Sequence, residues 1–356
     1  MPPSVDVRIR ALRRRLRPVR RAVVAARREL RGSAPATPPP VKSHRPRAPI
    51  EAATPPGGDR PIAKDPTMPR HEVRRAAAFA TADRAGRILE IGPAHNGTFP
   101  RRDGFRTTIV DYLDREGLVE KYAEFPQYSP DDIEDVDYVL APGAELASTI
   151  PERFDLVFAS HVIEHTTSLV HFLRSCTELL APGGTIALVI PDKRWCFDRF
   201  RERASLSRII DAAERPPDVH TRGALAEFTL YTVRKGNSSA WNPDHRGKFA
   251  PTHDLAAVRS VLHRAEDGAY IDMHNWVFTP NHFRLLLHDL HALGYLTVRE
   301  SFFRNTVGHE FFVNLTVDGP GPDLDRQALL RLSDLEHAPV ERVRFEGEPG
   351  SPAQAP

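Results

Sequence analysis

The chain has 356 residues, a formal net charge of +2, 40% hydrophobic residues and 33 prolines. That length allows one large or two ordinary domains, and a proline share above the roughly 5% of an average globular chain points to an unfolded Pro-rich portion. No run of 18 apolar residues exists, no apolar stretch opens the chain as in a secretory signal, and Cys176 and Cys196 are the only cysteines. A membrane-spanning helix, a leader, a disulfide scaffold and a Cys-rich zinc module are therefore not expected, and a reducing, cytoplasmic setting is.

In chain order, residues 1–32 come first, with eleven arginines against Asp6 and Glu29. Val5, Ile9, Leu12, Leu16, Val19, Val23, Ala26 and Leu30 fall on one helical stripe, which Pro18 should kink. Such a basic amphipathic arm suits an anionic membrane surface, peripheral at the inner face of the membrane. Nucleic acid is the lesser candidate, because no aromatic is there to stack on bases. A solubilising tail or an assembly coiled coil is the plain alternative. Residues 33–69 hold eleven prolines and few aliphatics, so they read as a disordered linker.

A domain is expected over 70–317. Arg87–Ile91, Thr107–Asp111, Val136–Leu140, Asp155–Ser160 and Thr185–Ile190 are short apolar runs without alternation. That pattern belongs to strands buried on both faces of a parallel sheet. A helix carries Leu169, Phe172, Leu173, Cys176 and Leu180, with Thr166 or Thr167 as cap and Gly183-Gly184 as stop. Residues 193–276 interrupt the alternation with Arg, His and aromatic residues, and read as a helical insertion that covers the substrate. A further helix opens at Thr279-Pro280 and stops at Gly294. Leu296–Phe303 and Glu310–Val317 follow as strands, and the six residues between them are too few for a parallel crossover. The expected fold is α/β, a Rossmann-like doubly wound sheet, mostly parallel, with an antiparallel C-terminal hairpin strand. Residues 318–356 are expected to form a helix and a disordered tail, frayed from about Glu341.

The first strand leads into Glu90-Ile-Gly92-Pro-Ala94-His-Asn-Gly97, close to the spacing of a dinucleotide loop. Asp111, 19 residues after Gly92 at the end of the second strand, is placed to bond a ribose diol. These residues alone leave NAD and S-adenosylmethionine both open. Three features separate them. Glu90 repels a pyrophosphate and attracts an ammonium group. Pro100 and Gly104 leave little room for the helix a pyrophosphate needs. The third is the antiparallel hairpin.

Together these residues resemble the class I S-adenosylmethionine-dependent methyltransferases over about 86–317. Glu90-x-Gly92 is similar to that family's first motif, Asp111 to its second-strand acid, and Leu180-Ala-Pro-Gly-Gly184 to its turn before the fifth strand. Ala94 departs from the pattern where a second glycine is usual. Leu89-Glu-Ile-Gly-Pro93, Ser160-His-Val-Ile-Glu-His165 and Ile190-Pro-Asp-Lys-Arg-Trp-Cys-Phe-Asp198 also resemble a bacterial subgroup associated with cell-surface glycans. The resemblance implies S-adenosylmethionine as cofactor, held by Glu90, Gly92, Ala94, Gly97, Asp111 and Ser160. It also implies that the loop after the fourth strand borders the transferred methyl.

His161-x-x-Glu164-His165 matches an inverted zinc-protease pattern, but that chemistry needs both histidines on one helical face, and His161 follows a strand directly. No metal is expected. His165 is the first candidate for a general base, with His161 and Asp192 as alternatives. Arg194 is a candidate to grip an anionic acceptor, and His253, His274 and Trp276 to reach the pocket. The expected function is methyl transfer from S-adenosylmethionine to a small molecule or glycan, at oxygen. An NAD-linked oxidoreductase and a catalytically inactive cofactor-binding protein are the alternatives.

Overall fold

The computed structural model describes residues 68–337 apart from 126–127, 142–143, 237 and 242–247, together with 344–345. The arm at 1–32, nearly all of the linker at 33–69 and the tail beyond Phe345 lie outside the described residues. The chain forms α1 (Arg70–Ala78), β1 (Arg87–Ile91), β2 (Arg106–Asp111), α2 (Arg115–Tyr122), β3 (Tyr138–Val139), α3 (Leu146–Thr149), β4 (Phe154–Ser160), α4 (Leu169–Glu178) and β5 (Leu180–Pro191). It continues through α5 (Leu206–Glu214), α6 (Arg222–Tyr231), β6 (Val233–Lys235), β7 (Ser238–Ser239), β8 (Lys248–Pro251) and α7 (Leu255–Arg264). Then come α8 (Pro280–Ala292), β9 (Arg299–Val307), β10 (Glu310–Thr316), α9 (Arg326–Leu335) and β11 (Arg344–Phe345).

Seven strands make the main sheet, in the order β3-β2-β1-β4-β5-β10-β9. All pairings are parallel except those of β10, which runs antiparallel to both β5 and β9. The two faces are buried by different elements, which is why the strands lack alternation. Leu89, Val157, Leu188 and Val313 face a core with Leu173 and Cys176 of α4 and Phe283 and Leu287 of α8. Ile88, Phe158, Val189 and Phe312 face Val73 and Ala77 of α1. Each Leu, Ile, Val or Phe among them contributes about 1.5–3 kcal/mol by leaving water.

The first crossover has no α-helix. Only a 3-10 turn, Arg101–Asp103, lies between β1 and β2. Phe99, fully buried, fills the space and packs edge-on against Phe79, Phe105 and Phe158. Among the described residues no helix is long and apolar enough to cross a membrane.

Several local expectations need correction. The cap of α4 is Ser168, whose hydroxyl faces the His171 amide, and not Thr166 or Thr167. Gly183-Gly184 does not stop that helix. It lies inside β5, where the register with β4 shifts between Phe154 and Leu156. A Cβ on Gly184 would stand 2.8 Å from the Phe154 carbonyl oxygen, so only glycine lets the strands close there. The connection from β9 to β10 is two residues, Gly308-His309, because β9 runs on to Val307. The insertion is not purely helical: β6, β7 and β8 join β11 in a second sheet of order β11-β8-β6-β7. The segment from Glu341 is therefore not all frayed, since Arg344 and Phe345 pair with Lys248 and Phe249.

Candidate active site

The carboxyl ends of β1, β2, β4 and β5 meet at one edge of the sheet, where open α/β sheets bind ligands. Because β10 is reversed, it brings its first residue, Glu310, to this same edge, opposite Pro191.

At the tip of β1 the chain turns through two left-handed residues, Gly92 (φ +62°) and Ala94 (φ +48°). Gly92 is required there. Its φ is costly for any L side chain, and a Cβ would press on Val162 Cγ2 at 3.1 Å. Ala94 bears the strain of φ +48° and is fastened by its own amide, which donates to Asp111 Oδ2 (3.1 Å). Asp111 Oδ1 accepts from the Tyr112 amide (2.8 Å). Asp111 is buried, and burial raises its pKa against the pull of those two amides.

Glu90 is buried, and its oxygens accept the amides of Thr98 (2.6 Å) and Phe99 (3.1 Å). Burial pushes its pKa up to about 7, against those hydrogen bonds and the charge of Arg74. Its carboxylate thus latches the loop after Gly97, a contact the sequence did not suggest. A cavity of about 210 Å³ lies under this loop, lined by Glu90, Ala94, His95, Gly97, Leu118 and Glu134 among others. Asp111 and Ser160 face the sheet edge and do not line it.

Ser160 ends β4, and its hydroxyl is buried without a hydrogen-bond partner among the described residues. His161 follows in a left-handed conformation (φ +56°), held by its amide on the Val189 carbonyl (3.0 Å). Its Nε2 meets Glu310 Oε1 at 2.9 Å, and its Nδ1 stands 3.6 Å from Glu164 Oε1. Glu310 is paired in turn with Arg74 of α1 at 2.5 Å. These partners hold its carboxyl well below the usual range despite the opposing effect of burial.

Ile163–His165 form a single 3-10 turn, so His161 and His165 do not share a helical face. His165 turns toward the insertion, where its Nδ1 contacts Asp272 Oδ1 at 2.8 Å. Burial lowers the basicity of His165, but the Asp272 hydrogen bond and the charge of Glu164 outweigh it and leave the pKa raised. Asp272 is held down to about 2: burial opposes this, and the His165 hydrogen bond and charge prevail. His274 packs edge-on to His165, ring centres 4.7 Å apart, with its Nδ1 on Asp198 Oδ2 at 2.5 Å. Backbone bonds fix this segment: the amides of Asn275 and Trp276 donate to the Glu164 carbonyl at 2.7 and 3.0 Å.

The sheet edge therefore gathers Gly92, Ala94, Asp111, Ser160, His161 and His165, with Glu90 of β1 and Gly97 of the following loop behind it. Asp192 does not belong to the reactive group. It is fully buried just past β5, accepts the Arg194 amide (3.0 Å) and its guanidinium through both oxygens, and accepts the Thr306 hydroxyl (2.6 Å). A carboxylate so committed is a structural staple, and it occupies part of the Arg194 guanidinium that the sequence offered to an anionic acceptor. Of the histidine and tryptophan candidates in the insertion, His274 reaches the site. His253 is exposed, and Trp276 is buried in the main core. Sequence reasoning missed Asp272, Asp198 and Glu310, which act through contacts 76 to 149 residues apart. No local pattern marks such pairs.

A model of the methyltransferase domain family matches residues 64–289. A 58-residue stretch, 16% of this chain, is 34% identical to the mitochondrial ubiquinone biosynthesis O-methyltransferase of Homo sapiens, and spans 16% of that protein. Among solved structures, the glycopeptide N-methyltransferase MtfA complexed with S-adenosyl-L-methionine is 15% identical with a TM-score of 0.34, over 71% of this chain and 96% of that one. The mitomycin 7-O-methyltransferase MmcR is 14% identical with a TM-score of 0.32, over 69% of this chain and 52% of that one.

Proposed function

This chain belongs to the methyltransferase domain family, and from that membership we propose that it transfers a methyl group from S-adenosylmethionine to a hydroxyl of a small molecule or glycan. The residues present fit the cofactor. Asp111 keeps lone pairs beyond the two its amides use, as a ribose diol needs. The Ser160 hydroxyl is buried with no partner among the described residues, and the left-handed turn at Gly92 and Ala94 clears the backbone for close approach. An NAD-linked reaction has less support, because no helix N-terminus follows the glycines to receive a pyrophosphate.

When bound, the cofactor supplies an electrophilic methyl on a sulfonium. The chain's task is then to hold the acceptor oxygen in line, and positioning of this kind lowers a barrier by about 7–11 kcal/mol. The observation that carries the assignment to oxygen is the His165–Asp272 pair. With Nδ1 held by the carboxylate, the other ring nitrogen is left to take the hydroxyl proton, a contribution of about 10²–10⁴-fold.

The test is incubation of the protein and S-adenosylmethionine with hydroxylated small molecules and saccharides. S-adenosylhomocysteine and a methyl ether are the expected products. His165→Ala should lower kcat at least about 100-fold with cofactor affinity unchanged, and a loss under about threefold would remove His165 from the chemistry.

A further inference from the structure

Glu164, the neighbour of His165, is fully buried, and among the described residues neither of its carboxylate oxygens accepts a hydrogen bond. Carboxylates are buried in this way where a cation neutralises them. Around it stand imidazoles beyond hydrogen-bond range, His161 Nδ1 at 3.6 Å and His274 Nε2 at 3.9 Å from Oε1. Glu164, His165 and His274 each bring one ligating atom within 4.8 Å of the others. Each of the two outer imidazoles is held through Nδ1 by a further carboxylate, His165 by Asp272 at 2.8 Å and His274 by Asp198 at 2.5 Å. That leaves one nitrogen on each ring for a ligand. Carboxylate, histidine and metal in sequence is how proteins orient imidazole ligands.

We propose that Glu164, His165 and His274 form a binding site for one divalent transition-metal ion. Two imidazoles and one carboxylate favour zinc, cobalt or iron over magnesium or calcium, which prefer all-oxygen sites. The His165 side chain, 28% exposed, gives the way in and leaves a coordination position for an acceptor oxygen. The cluster of His161, His309 and Glu310 has similar spacing but no room for a cation's charge. Its Glu310 is already paired with Arg74 and His161.

This inference rests on the reactive site proposed above and alters one role within it. The nitrogen lone pair that takes a proton is the one that holds an ion. An ion there would replace His165 as the activating group by acidifying the hydroxyl bound to it, whose proton would pass to solvent water as the oxygen takes the methyl.

The test uses the full chain, stripped with a chelator and titrated with Co²⁺, whose visible absorption reports its ligands. One ion per chain is expected. Glu164→Gln, which keeps the residue's size, and His274→Ala should each weaken Co²⁺ binding at least about 10-fold while S-adenosylmethionine affinity is retained. No Co²⁺ binding by the wild-type chain, or unchanged binding in either variant, overturns the proposal. Methyl ether formation is read separately. Co²⁺ binding without it removes the assigned reaction and leaves the ion site, whereas methylation by a chain that binds no Co²⁺ removes the ion site and leaves the reaction.

Discussion

Asp111 accepts two backbone amides at the end of β2, and what remains of its bonding capacity faces the sheet edge. Asp111→Ala should weaken S-adenosylmethionine binding by about 1.5–3 kcal/mol, the range for hydrogen bonds to a charged group, and isothermal calorimetry checks it. Glu90 adds a pH dependence. Its pKa is raised to about 7, so at pH 6 it is mostly protonated in the free chain. A cationic ligand nearby favours the ionised form. Binding should therefore release protons below pH 7, and affinity should rise with pH up to about 7 and then level off. Calorimetry in two buffers of different ionisation enthalpy measures the protons released, and Glu90→Gln should abolish them. The turn at Gly92 and the strand-end position of Asp111 were legible in the sequence because strand-end conformation is local, whereas the left-handed Ala94 carried no glycine to announce it. Asp192 misled for the converse reason. An acid at a strand tip looks the same in sequence whether it faces a substrate or, as here, Arg194 and Thr306.

Elements were read more faithfully than their ends. The apolar runs of β1, β2, β4 and β5 announce a sheet covered on both faces, and the short spacing before β10 announces its reversal. Caps are harder to read, since several nearby residues can satisfy the same amides. For α8 the sequence offers Thr279, but that side chain does not cap the first turn. Glu336, just past the end of α9, accepts the amides of Asn281 (2.9 Å) and His282 (3.1 Å) instead. Glu336→Ala should destabilise the fold by about 0.5–2 kcal/mol, measured by denaturant unfolding, because it strips a helix of its N-terminal acceptor. A larger effect is expected where α1 meets β10. Arg74 and Glu310 are both buried, so Arg74→Met removes the guanidinium from a buried carboxylate and leaves it only the His161 imidazole. The expected cost is about 3–5 kcal/mol by the same measurement.

At the scale of the whole molecule, the arm at 1–32 combines an apolar stripe with eleven arginines, and we propose that it docks on anionic membranes. Full-length protein should co-sediment with anionic liposomes at low salt. Deleting 1–32 should abolish that and leave S-adenosylmethionine binding intact; equal sedimentation of both forms would count against the arm. The insertion has its own long-range dependence. Its sheet takes an edge strand, β11, from the far end of the chain, where Arg344 and Phe345 pair with Lys248 and Phe249. The segment after β5 is thus not a module closed on itself. Transplanting residues 193–276 into a related scaffold leaves β8 with an open edge unless β11 travels with it, and an affinity tag joined close to Phe345 should be judged by its effect on the β8–β11 pairing.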